Sequence, residues 1–145
     1  MAKISSSETV TENIFRDFYG SSTFIEKSAI PNEFGFQSKK STSYKGYPDF
    51  LLEEEDYIIV VEAKAADHTN AISEVQHYML KNNVTKDIIG IAVSGQKLEN
   101  LKVDYFLKIN KETECKHILP DSKLLTLKNI YNVYWKNRYG DSVTN

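Results

Sequence analysis

Residues 46–65 read GYPDFLLEEEDYIIVVEAKA, and the fold turns on how they pair. Two apolar runs, Phe50-Leu51-Leu52 and Ile58-Ile59-Val60-Val61, flank a polar stretch from Glu53 to Asp56. Short apolar runs on either side of a polar turn make a β-hairpin. No glycine is present to serve a tight two-residue turn, so a slightly longer loop is expected. The second run is apolar at four consecutive positions, the pattern of a strand buried on both faces.

Side chains alternate along a strand, so Val60, Glu62 and Lys64 share one face. If Leu52 and Tyr57 close the turn, Asp49 lies opposite Val60 on that same face. It is then a diagonal neighbour of Glu62, with Cα atoms roughly 7–8 Å apart. If Glu53 instead pairs with Ile58, Asp49 and Glu62 are directly opposed. In either register two carboxyl groups can reach one divalent ion; a one-residue slip would put them on opposite faces and remove the site. Glu62-Ala63-Lys64 reads equally as an ordinary charged strand end. A site is favoured by Pro48-Asp49 at the matching offset and by the buried run leading into Glu62, because buried charge is costly unless paired or bound to metal.

Upstream, serines 5–7 offer caps for a helix over Glu8–Tyr19 that ends at Gly20. Val10, Ile14, Phe15 and Phe18 form its apolar face, with Glu8 and Glu12 at the margin. Residues 21–44 are irregular, interrupted by Pro31. A basic, hydroxyl-rich loop carrying Lys39, Lys40 and Lys45 ends at Gly46, and is either a phosphate-contacting loop or a solvated linker. Downstream, residues 67–69 cap a helix reaching about Lys81. Gln76 falls within its stripe of Ile72, Val75 and Met79, either turned toward the sheet edge that carries Glu62 and Lys64 or on the rim. Asp87–Ser94 is a buried strand. Residues 103–109 form another, nearer an edge, and residues 113–119 a short one before Pro120. A last helix opens at Asp121 or Ser122 and runs to about Arg138, with a broad apolar face of Leu124, Leu127, Ile130, Tyr131, Tyr134 and Trp135. That face is core or a docking surface. The tail, residues 141–145, is polar.

The order predicts an α/β fold, a three-layer sandwich of helices around a mixed central sheet. The 145 residues suffice for one domain with a real core, and 41% are hydrophobic. No apolar run approaches a membrane span, and residues 1–12 lack a signal-peptide core. Cys115 is the sole cysteine, which excludes an intrachain disulfide and a cysteine-based zinc site. His68, His77 and His117 match no common zinc spacing, and His68 or His77 reads as a surface helix residue. The sequence offers no Gly-rich phosphate loop and no Ser/His/Asp arrangement. A net charge of −2 argues against a strong free-standing DNA binder.

Gly46-Tyr47-Pro48-Asp49-Phe50 with Val60-Val61-Glu62-Ala63-Lys64 resembles the PD-(D/E)xK nuclease signature, Glu62 standing as the middle acid. Ser73-Glu74-Val75-Gln76-His77-Tyr78 is similar to the glutamine-bearing helix that follows this motif in restriction endonucleases. The likeness spans residues 8–78 and is nearest to the amino-terminal endonuclease domains of type I restriction subunits and of fused type IIG enzymes. It implies a restriction-endonuclease-like core and hydrolysis of double-stranded DNA with Mg²⁺, or Mn²⁺ in its place. Asp49, Glu62 and the carbonyl of Ala63 would hold the ion, with an acid of the first helix, Glu12 better than Glu8, assisting. Lys64 would orient the attacking water by its charge, and Gln76 would fix the water or the lysine. The resemblance further implies a prokaryotic, cytoplasmic cleavage module, with methyltransferase, target-recognition or motor domains or subunits as partners. Two rival functions are a non-catalytic DNA-binding or assembly domain of the same fold, and a stand-alone resolvase or repair nuclease.

Overall fold

The structure is a computed structural model, and it describes residues 7–40 and 44–140. Helix α1 (Glu8–Tyr19) leads into β1 (Ile25–Glu26) and two 3-10 turns at Lys27–Ala29 and Asn32–Phe34. The hairpin follows as β2 (Phe50–Glu53) and β3 (Tyr57–Lys64). Helix α2 (His68–Leu80), strands β4 (Asp87–Ser94), β5 (Lys102–Lys108) and β6 (Lys116–Ser122), and helix α3 (Leu127–Tyr139) complete the chain. The six strands form one mixed sheet in the order β1-β2-β3-β4-β5-β6. Only β3 and β4 run parallel, joined by α2 as the crossover; the other neighbours are antiparallel.

The sheet's two faces carry separate cores. Tyr57, Ile59, Val61 and Ala63 of β3 pack with Phe15 of α1 and with Ile130 and Tyr134 of α3. Ile58 and Val60 pack with Ala71, Val75, Tyr78 and Met79 of α2. The strict odd–even division is the pleat at work, and it gives three layers, with α1 and α3 on one side and α2 on the other. Every residue of β4 is buried, as its unbroken apolar run requires. Local capping fixes the helix starts: Ser7, Asp67 and Thr126 each accept a backbone N–H with the side chain.

Of the two hairpin registers the sequence allows, the structure has Glu53 opposite Ile58, not Leu52 opposite Tyr57. Tyr57 lies on the loop side of that pair, its carbonyl accepting the Glu54 N–H at 2.8 Å, while its backbone also pairs with Asp87 of β4 and its ring packs 4.5 Å from that of Tyr134. Strand β5 lies nearer the edge than β4, with β6 pairing along its outer side. Two expectations need correction. Strand β6 runs through Pro120, which an edge strand tolerates, and its ladder to β5 is irregular between Val103 and Phe106. Asp121 and Ser122 therefore belong to the sheet, and α3 starts only at Leu127. Candidate caps Ser5 and Ser6, the loop tip at 41–43 and the tail at 141–145 lie outside the described residues. Among the described residues no helix is long and apolar enough to cross a membrane.

Candidate metal centre

The ladder ends at the pair Phe50–Val61, and Asp49, the residue just before it, lies in contact with Glu62. The Asp49 N–H donates to the Val61 carbonyl at 2.9 Å and to Glu62 Oε2 at 3.1 Å. The Ala63 N–H donates to Asp49 Oδ2 at 2.8 Å. Here a side chain replaces the strand, because Pro48 begins the turn away from the ladder. N–H and C=O of one extended residue leave a strand on the same side, so the Ala63 carbonyl is directed toward Asp49 as well. Asp49 is 6% exposed and Glu62 3%.

Around this pair the fold gathers more acid than base. Glu8 and Glu12, one turn apart on α1, bring carboxyl oxygens within 4.8 Å of each other and of Asp49. Glu74 of α2 comes from the other side, within hydrogen-bond reach of Glu62. Lys64 lies on the Glu62 face, as strand alternation predicts, with Nζ 3.2 Å from Glu74 and 3.4 Å from Glu8. Lys27, at the head of the first 3-10 turn, places Nζ 3.1 Å from Asp49 Oδ1. Lys39 bonds the Ser73 hydroxyl, and its charge reaches Glu74.

Protonation follows from this crowding. Burial, then the charge of Asp49 and the contact with Glu74, hold the Glu62 carboxyl well above the usual carboxylate range. Glu12 is raised by burial and by Asp49 and Glu8. Burial works against the charge on Lys64, but Glu74, Glu8 and Glu62 outweigh it and raise its pKa. Burial likewise opposes ionisation of Glu74, and the contacts with Glu62 and Lys64 prevail to lower it. Tyr78, buried near Glu62 and Glu74, is pushed up to about 12.

The donor set fits a hard divalent cation. Every donor is an oxygen, and five carboxyl groups meet three ammonium groups. Burial, with the crowding by these acids added to it, is what raises the Glu62 carboxyl. The sequence-predicted residues Asp49, Glu62, Ala63, Lys64 and Glu12 are thus brought together, and Glu8 joins Glu12 instead of being its rival. Gln76 is not among them. The buried stripe of α2 is Ala71, Val75, Tyr78 and Met79, which leaves Gln76 on the margin, and its amide bonds no other described residue. Glu74, not Gln76, is the α2 residue that reaches Lys64.

Lys40 and Lys45 are exposed on a loop whose ends pair through Gln37 and Lys45. Gly46 lets that loop lie close: a Cβ there would be 2.7 Å from Ser38 Cα and 2.9 Å from the Tyr78 hydroxyl. Lys27 and Glu74 were not legible as site residues. Glu74 had one signal, an acid one turn before Tyr78 beside an apolar stripe, whereas Lys27 had none, since only tertiary docking brings it to Asp49.

A second polar cluster contradicts the expectations for the histidines. His68 bonds Asp104 at 2.5 Å through Nε2 and the Ser94 hydroxyl at 2.8 Å through Nδ1. His117 takes the other oxygen of Asp104 at 2.7 Å, and the Asp121 N–H reaches that oxygen at 3.0 Å. A Ser/His/Asp chain therefore exists, but Ser94 is 2% exposed, closed to a substrate. It ties α2 and β6 to the sheet. His77 similarly bonds the Gln37 carbonyl at 2.9 Å.

No family model matches the chain, and neither a curated protein nor a solved structure matches it.

Proposed function

We propose that this chain is the cleavage module of a Mg²⁺-dependent DNA endonuclease with a restriction-endonuclease-like core, working within a larger restriction system. One observation carries the reading: Asp49 and Glu62, both buried and in contact, sit among further acids at the end of the strand that carries Lys64. Buried acids that face one another are a standing cost to a fold unless a cation joins them.

When bound, Mg²⁺ polarises a phosphoryl oxygen and lowers the pKa of a coordinated water. Asp49, Glu62 and the Ala63 carbonyl would hold it, with Glu12 and Glu8 closing the α1 side. Lys64, kept charged by Glu74 and Glu8, stabilises negative charge developing on the phosphoryl oxygens and orients the water; it does not act as a base. Glu74 takes the positioning part that the sequence assigned to Gln76. Lys39, Lys40 and Lys45 flank this site on the loop before Gly46 and supply contacts to the DNA backbone.

The test is cleavage of supercoiled plasmid at micromolar protein, low salt and millimolar Mg²⁺ or Mn²⁺, alongside calorimetric titration with Mn²⁺. Nicking is expected from the wild type and, on the scale of lost transition-state contacts, is reduced on the order of a hundredfold or more by Asp49→Ala and by Lys64→Ala. Mn²⁺ binding should be lost in Asp49→Ala. A wild type that binds no Mn²⁺ sinks the reading and leaves a non-catalytic domain.

A further inference from the structure

The two lysines of the site are held on different terms. Lys64 is confined, its side chain 17% exposed, and both its ion pairs are to acids other than Asp49. Lys27 has its ammonium on Asp49 itself, yet its side chain is 57% exposed. Its backbone is not free to drift, because the Lys27 N–H donates to the Asp49 carbonyl at 3.1 Å. The residue is therefore anchored at its main chain and able to swing at its tip.

Neighbouring charge defines what that tip does. Lys27 lines a cavity of about 230 Å³ with Glu12, Arg16, Glu26, Asp49 and Phe50. Arg16, the other cation there, is committed to Glu26 at 2.5 and 2.7 Å. Lys27 thus supplies the positive charge at the open side of the carboxyl cluster. Two cations cannot share Asp49 Oδ1 at close range without strong repulsion. An ion entering between Asp49 and Glu62 must displace the ammonium into that cavity.

We propose that Lys27 is a counter-charge that stands in for the divalent ion at Asp49, and that the arriving ion releases it to bind a phosphate of the substrate strand. This rests on the metal reading given above. The ammonium keeps the empty site from repelling itself apart, and its release puts a positive charge beside the ion at the moment an anionic strand is needed there. Lys27 is on this account a phosphate-binding residue, and Lys64 alone keeps its station throughout.

The experiment compares wild type, Lys27→Met and Lys27→Arg, with Lys64→Met as a control, in calorimetric titrations with Mn²⁺ at neutral pH. Lys27→Met removes the competitor with little change of shape, so Mn²⁺ should bind on the order of tenfold more tightly. Lys27→Arg should stay near wild type, and Lys64→Met should change affinity less than Lys27→Met. Duplex binding in Ca²⁺ is then followed from low to moderate salt. There Lys27→Met should weaken binding and reduce the slope of log affinity against log salt by about one, the signature of one lost phosphate contact. Circular dichroism melts confirm that the variants are folded. Wild-type Mn²⁺ binding with no tightening in Lys27→Met overturns the counter-charge, and an unchanged salt slope overturns the phosphate contact. Absence of Mn²⁺ binding in every protein overturns the metal reading itself, and this inference with it.

Discussion

The parallel pair β3 and β4 buries acids at both of its ends, on opposite terms. At the start of β4, Asp87 is surrounded by donors. Oδ2 accepts from the Tyr134 hydroxyl at 2.7 Å and from Arg138 Nε at 2.8 Å, and Oδ1 accepts from the Asn110 N–H at 2.7 Å. At the end of β3, Asp49 and Glu62 are in contact, with Glu8, Glu12 and Glu74 close by. Both arrangements are equally dry. Asp87 locks α3 to the sheet with donors on both of its oxygens, whereas at the other end five carboxyl groups meet three ammonium groups. The difference separates an acid whose partners the fold supplies from acids crowded against other acids.

The sharpest way to break the comparison is Asp87→Ala. It strands the buried Tyr134 hydroxyl and frees Arg138, which should cost about 3 kcal/mol and lower the melting temperature by about 10 °C. Adding Mn²⁺ should not change that loss. A loss that Mn²⁺ abolishes would place Asp87 in the same class as Asp49.

A smaller effect, on the order of 1 kcal/mol, is expected for Glu62→Gln in the presence of a chelator. The folded state holds the Glu62 proton more tightly than the unfolded chain, so its contribution is complete below the ordinary carboxylate pKa. It is lost as pH rises through the raised value. Glu12 adds a change of the same sign. Urea unfolding at several pH values from 4 to 8 should show the wild type declining more steeply than Glu62→Gln. Parallel profiles would mean that Glu62 carries no strain. Smallest should be His117→Ala, within about 1 kcal/mol by urea denaturation, because His68 and the Asp121 N–H still satisfy Asp104. A larger loss would make this histidine–aspartate cluster a clamp of the Asp87 kind.

Much of this could be read before any coordinates. Helix α1 and strand β4 have the limits that their caps, periodicity and apolar run indicate, and α2 begins at its Asp67 cap. The shared face of Glu62 and Lys64 depends only on alternation along β3, whereas Asp49 reaches Glu62 from just beyond the end of the hairpin ladder. What escaped was decided by tertiary partners. Tyr57 is paired with Asp87 and packed on Tyr134, partners that only the assembled fold supplies. Asp121 and Ser122 look like a helix start until β5 recruits them. The exposed Tyr131 and Trp135 show that the α3 stripe is wider than the core it covers, since only Ile130 and Tyr134 are buried there. Lys27 is unreadable for the same reason: a lysine in an irregular stretch gains its meaning from a strand that lies more than twenty residues later in the chain.

Thr11 bears on when the acids can meet. Buried on α1, its hydroxyl donates to the Gly95 carbonyl at 2.6 Å, beside the Lys64 carbonyl at 3.2 Å, and receives the Gln96 amide at 3.1 Å. The helix that carries Glu8 and Glu12 is thereby fastened to residues made long after it. That fastening spans 84 residues of chain, from Thr11 to Gly95. Closing so long a loop is also among the slower acts of folding. The convergence of Glu8 and Glu12 on Asp49 is thus tied to a contact between distant parts of the chain, so that the acidic cluster belongs to the assembled fold and to no single segment of it.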